Sequence, residues 1–152
     1  MKKLLLLFLL GLSLNASGQT KKSELYSEYI GEIFLGQEKS ENETGEIKVT
    51  TKLLFQDVRF TAISNTKYIY LHSKNDMELF IVDLESALAY SKSGEKSVME
   101  YGDKIKYQVD ADARSGRITL WSQNADGLTF VKSKNLIKLI DALKSIKDNY
   151  AK

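Results

Sequence analysis

The chain has 152 residues with no cysteine, no proline and one histidine, and its formal charge of +2 comes entirely from Lys2 and Lys3. Beyond those two lysines acid and base balance, which argues against a nucleic-acid binder, since such proteins set a basic excess against phosphates. The lack of cysteine excludes disulfides, a thiol nucleophile and a cysteine-based zinc site.

The opening "MKKLLLLFLLGLSLNASGQT" carries two lysines, an apolar run from Leu4 to Leu14, and the small-x-small pattern Ala16-Ser17-Gly18. This is the layout of a signal peptide cleaved near Gly18/Gln19, and the apolar run is too short to span a bilayer. A periplasmic or secreted location follows, with no membrane span in the mature chain. About 134 residues then remain, enough to bury roughly two-thirds of the unfolded surface as one domain.

In "SELYSEYIGEIFLG", Leu25, Tyr29 and Ile33 recur at helical spacing between a possible cap, Ser23, and a stop, Gly36, so this stretch reads as a helix, with a strand as the alternative. Gln37 to Glu46 is polar throughout and reads as a loop or hairpin tip. From Ile47 the pattern turns to β. "IKVTTKLLF", "VRFTAIS", "KYIYLHS" and "ELFIVDL" read as strands, with "KND" as a tight turn between the last two. "DLESALAY" then reads as a short helix capped by Asp83, or as a continuation of the strand.

"KIKYQVDAD" alternates, with Ile105, Tyr107, Val109 and Ala111 on one face and Lys106, Gln108, Asp110 and Asp112 on the other. "RITLWSQ" and "LTFVKS" complete a three-stranded meander through an Asp126-Gly127 turn. The chain ends in a helix whose Leu136, Leu139, Ile140, Leu143 and Ile146 form one apolar stripe. A faint echo aligns Tyr70–Val82 with Thr119–Val131 and suggests a duplication.

The candidate chemistry is sparse. Asp110 and Asp112 have the spacing of the first two ligands of a calcium loop, but Arg114, Ser115 and Trp121 stand where a ligand, a glycine and a glutamate are needed. The stretch reads instead as a hairpin turning at Arg114-Ser115-Gly116, and no metal or cofactor is expected. Glycine-rich phosphate loops are absent. A Ser-His-Asp hydrolase has only His72 for its base, and Ser73, next along the strand, points the other way. No catalytic residues are assigned.

One constellation remains. Tyr68, Tyr70 and His72 share a strand face opposite Ile69 and Leu71, and Trp121 shares one opposite Ile118 and Leu120. If the aliphatic faces form the core, the four aromatic residues make a surface for an unknown protein, peptide or glycan ligand.

Tyr107 to Tyr150, with Gly116-Arg117 between strands and a final amphipathic helix, resembles one strand-strand-strand-helix repeat of the Pur-alpha type of single-stranded nucleic-acid-binding proteins. The resemblance implies that local topology and, as a minor alternative, single-stranded nucleic-acid binding. The reading of the whole is an α+β protein, a twisted antiparallel sheet of hairpins with the amphipathic C-terminal helix packed on one face. The leader covers 1–18, an N-terminal segment with its acidic loop 19–46, and a single domain 47–152. The expected function is an exported, non-enzymatic binding or interaction module of the cell envelope, with a small periplasmic hydrolase using His72 as the alternative.

Overall fold

The computed structural model describes residues 20–60 and 65–151. The expected leader, and most of the strand expected over 58–64, lie outside these residues. The protein is α+β and antiparallel, with a C-terminal helix, but its strands divide between two four-stranded sheets. Strands β1 (Lys21–Ile30), β2 (Ile33–Glu41), β3 (Ile47–Gln56) and β4 (Thr66–Leu71) pair in sequence order and lead into helix α1 (Lys74–Ser91). Strands β5 (Val98–Tyr101), β6 (Tyr107–Asp112), β7 (Arg117–Ser122) and β8 (Gly127–Val131) do the same before helix α2 (Ser133–Ile146), which ends in a 3-10 turn, Lys147–Ala151.

The helices are exchanged between the halves. Helix α1 lies across β5, β6 and β7: Phe80 meets the Tyr107 ring edge-on at 4.5 Å, and the Tyr107 hydroxyl donates to Asp83 at 2.7 Å. Helix α2 covers the first sheet, where buried Gln37 donates to the Ile146 carbonyl at 3.2 Å and accepts from Asn149 at 2.7 Å. Tyr150 donates to the Leu71 carbonyl at 2.6 Å and takes the Thr51 N–H at 3.1 Å. All these apolar faces join in one core, in which each fully buried Leu, Ile or Phe side chain contributes about 1.5–3 kcal/mol.

The duplication is one of topology, in a register different from the echo. Tyr70–Val82 holds the end of β4 and the first half of α1, whereas Thr119–Val131 is a β7–β8 hairpin. The equivalent positions are instead Met77 and Leu136, Phe80 and Leu139, Ile81 and Ile140, Leu84 and Leu143, all buried. Glu85 and Lys144 occupy matching positions of the two helices and form an ion pair with each other.

Other expectations change as well. Ser23–Gly36 is not a helix but parts of β1 and β2, and Gln37–Glu41 continues β2, leaving the polar turn at Asn42–Glu46. Strand β2 pairs with β3 along its whole length, so the segment before residue 47 belongs to the first sheet. "KND" and "ELFIVDL" are helical: Ser73, not Asp83, caps α1, its hydroxyl accepting the Asp76 N–H at 3.1 Å. In the second half, the structure adds β5 to the meander and leaves Ile105 outside the strand and 73% exposed. The Arg114-Ser115-Gly116 turn forms with Gly116 at φ 64°.

Hydrogen bonds join the two halves beside their sheets. The Val58 N–H donates to the Leu128 carbonyl at 3.0 Å, and the Ser122 hydroxyl donates to the Tyr68 carbonyl. Gly127 permits this approach, because a Cβ there would fall 2.1 Å from Cγ of Lys67. Beside the junction the Asp57 carboxylate, fully buried, accepts from the Arg59 guanidinium at 2.8 Å, and Arg59 also donates to the Asp126 carbonyl.

Hydrogen bonds from Arg59 hold the Asp57 carboxyl below the usual carboxylate range despite its burial. A group depressed in the folded state adds stability above its unfolded pKa and loses it as pH falls through the folded value. Urea unfolding between pH 7 and pH 3 should therefore show a loss of stability below about pH 4 that is smaller in Asp57→Asn, a variant already weakened at pH 7. A second prediction concerns Thr129, a fully buried residue whose hydroxyl has no hydrogen-bond partner among the described residues. Thr129→Val keeps the shape and removes the stranded hydroxyl, and should raise the urea-derived stability by about 1 kcal/mol.

Candidate functional site

Because both helices lie on inner faces, the outer face of each sheet meets solvent. On the first sheet the cross-strand register builds one continuous row over all four strands: Tyr29 opposite Phe34, Phe34 opposite Leu54, and Leu54 opposite Tyr68. Side chains alternate along a strand, so all four share the outer face while Ile30, Ile33, Leu35, Leu53 and Ile69 go inward. Tyr29 is 76% exposed and Tyr68 39%, and the Tyr29 and Phe34 rings lie 5.1 Å apart. Gly36 makes room for the row: a Cβ there would sit 2.8 Å from the Phe34 ring.

The parallel row runs Ser27, Gly36, Lys52, Tyr70. Along β4 the aromatic residues form a column. Tyr68 and Tyr70 have ring centroids 4.8 Å apart at 40°, and Tyr70 stacks on His72 at 5.9 Å and 27°. Burial, and then the nearby Lys48, hold the His72 imidazole below its ordinary range, so it is neutral at pH 7. Among the charges on the face, Lys52 pairs with Glu38, and Glu24 accepts from the Ser27 hydroxyl at 2.7 Å.

Of the four residues singled out from sequence, three come together. Tyr68, Tyr70 and His72 form the column, whereas Trp121 stands on β7 in the other sheet, half-buried, its indole N–H donating to Asp110 at 2.7 Å. Asp110 also accepts from Gln108 at 2.7 Å. Asp112 accepts the Arg114 N–H at 3.0 Å and the Ser115 hydroxyl at 2.8 Å, so both aspartates of the would-be metal loop are engaged in the hairpin. Tyr29, Phe34 and Leu54 were missed because reading Ser23–Gly36 as a helix hides the pairing that aligns them. The alternation of "YIGEIF" around Gly31 is the one signal that could have exposed it.

The serine and the aspartate nearest His72 in sequence make other contacts. Ser73 caps α1, and Asp76 accepts the His72 main-chain N–H at 3.2 Å and the Lys106 ammonium at 2.7 Å. Among the described residues no group of three or more His, Cys, Asp or Glu side chains is placed to hold a metal, and no helix is long and apolar enough to cross a membrane. No family model, curated protein or solved structure matches the chain.

Exposure separates site from scaffold along β4. Tyr70→Ala removes a ring that is 36% exposed, and should cost less than about 1 kcal/mol. Leu71→Ala, one residue on and fully buried, should cost about 2–5 kcal/mol. Urea denaturation of the two variants measures the contrast.

Proposed function

We propose that this protein is an exported, non-catalytic binding module of the cell envelope whose contact surface is the outer face of the first sheet. The observation that carries this reading is the in-register row Tyr29, Phe34, Leu54, Tyr68, joined at right angles by Tyr70 and His72. Large side chains left in water on one face, while the opposite face is fully packed, mark contact sites more often than scaffold. Aromatic residues suit contact because they bring wide area at small entropic cost. The pattern of residues 1–18 supports export. The use of Ser73 and Asp76 in capping α1 favours binding over hydrolysis.

In cells, the protein should be recovered outside the cytoplasm with Gln19 as its N-terminal residue. Purified protein should sediment with isolated cell-envelope fragments, and Tyr70→Ala should lower the bound fraction at least fivefold while the protein stays folded. Equal sedimentation of wild type and Tyr70→Ala would sink the assignment of this surface.

A further inference from the structure

The chemistry of the β4 column narrows the ligand. The Tyr68 and Tyr70 ring centroids lie 4.8 Å apart and those of Tyr70 and His72 5.9 Å apart, so the three rings stand side by side along the chain, each partly exposed. Neither the Tyr68 nor the Tyr70 hydroxyl has a hydrogen-bond partner among the described residues. A phenol hydroxyl both donates and accepts, and so does a neutral imidazole. The column is therefore a line of three uncharged, two-way hydrogen-bonding groups.

At its Tyr68 end the apolar Leu54 and Phe34, half-buried, continue across β3 and β2 in register with Tyr68, while Lys52 stands beside Tyr70. Lys52 is already paired with Glu38, and Lys22 and Lys48 share the face with Glu24, so its net charge is small. A polyanion gains its affinity from uncompensated cations, which this face offers sparingly. The complementary molecule is uncharged, carries hydroxyls that both donate and accept, and has an apolar C–H face. It is also extended, since the groups follow a strand.

We propose that the outer face of β4, β3 and β2 binds a neutral oligosaccharide. The C–H faces of its sugars lie on Leu54 and Phe34, and its hydroxyls exchange hydrogen bonds with Tyr68, Tyr70 and His72. This inference rests on the reading of that face as the contact surface and adds the class of ligand to it.

Isothermal titration of the purified protein with cellohexaose, maltohexaose and chitohexaose, and with a heparin hexasaccharide and a dT10 oligonucleotide as charged counterparts, tests it at low and at high sodium chloride. At least one neutral hexasaccharide should bind with the same affinity at both salt concentrations. Tyr70→Phe, which keeps the ring and deletes one hydroxyl, should weaken that binding roughly fivefold without moving the unfolding midpoint. Binding confined to heparin or dT10 and lost at high salt would overturn the proposal in favour of a polyanion. If no neutral glycan binds while envelope sedimentation still depends on Tyr70, the oligosaccharide is wrong and the surface assignment stands. If that sedimentation does not depend on Tyr70, both fall together.

Discussion

The exchange of helices between halves is the constraint on which the rest of the structure depends. An apolar helix stripe has to be covered, and here α1 is covered by the second sheet and α2 by the first. Neither half buries its own helix on its own sheet. The core formed by Phe80 on Tyr107, and by the α2 stripe over the inner face of β1 to β3, therefore closes only when both halves are present. The Glu85–Lys144 pair sits where the two helices meet, but both groups are well exposed, so it contributes little to stability.

Polar groups inside the first sheet follow from the same exchange. Gln37 and Thr51 point inward where an aliphatic residue would be ordinary, and both are buried. Each is satisfied by the end of α2 and the turn that follows it: Gln37 by Ile146 and Asn149, Thr51 by Tyr150. A buried polar group without a partner is costly, so these contacts fix how far the tail runs along the sheet. In the second sheet the Thr129 hydroxyl has no such partner among the described residues.

Covering both inner faces leaves both outer faces bare, and the two are dressed differently. The first carries tyrosines, Phe34, Leu54 and the Lys52–Glu38 pair. The second carries Trp121 among Gln108, Asp110 and Asp112, with Arg117 lying over the Phe130 ring at 4.8 Å. Matching topology thus supports unlike surfaces, and the flatter aromatic one is where the case for binding is strongest.

Several elements could be read without coordinates because one local signal dominated each of them. The α2 stripe recurs at helical spacing against a charged opposite side, and β6 alternates strictly. Helix α1 resisted the same reading because Leu79 and Val82 are apolar yet 52% and 56% exposed, so no contrast marks its buried side. In β1 the alternation is broken by a bulge between Glu24 and Tyr26, and helical spacing of Leu25 and Tyr29 took its place by accident. The turn at Arg114-Ser115-Gly116 was legible from glycine chemistry alone.

The sequence by itself determined the α+β class, the balance of charge, the final helix, and the sharing of one strand face by Tyr68, Tyr70 and His72, since period and composition are local properties of the chain. Only the tertiary structure decided that the strands form two sheets, that the helices trade places, that Tyr29, Phe34 and Leu54 extend the aromatic column into a row, and that Trp121 belongs to the other face. Those facts depend on which strand pairs with which and in what register, and pairing is set by long-range burial that no local spacing encodes.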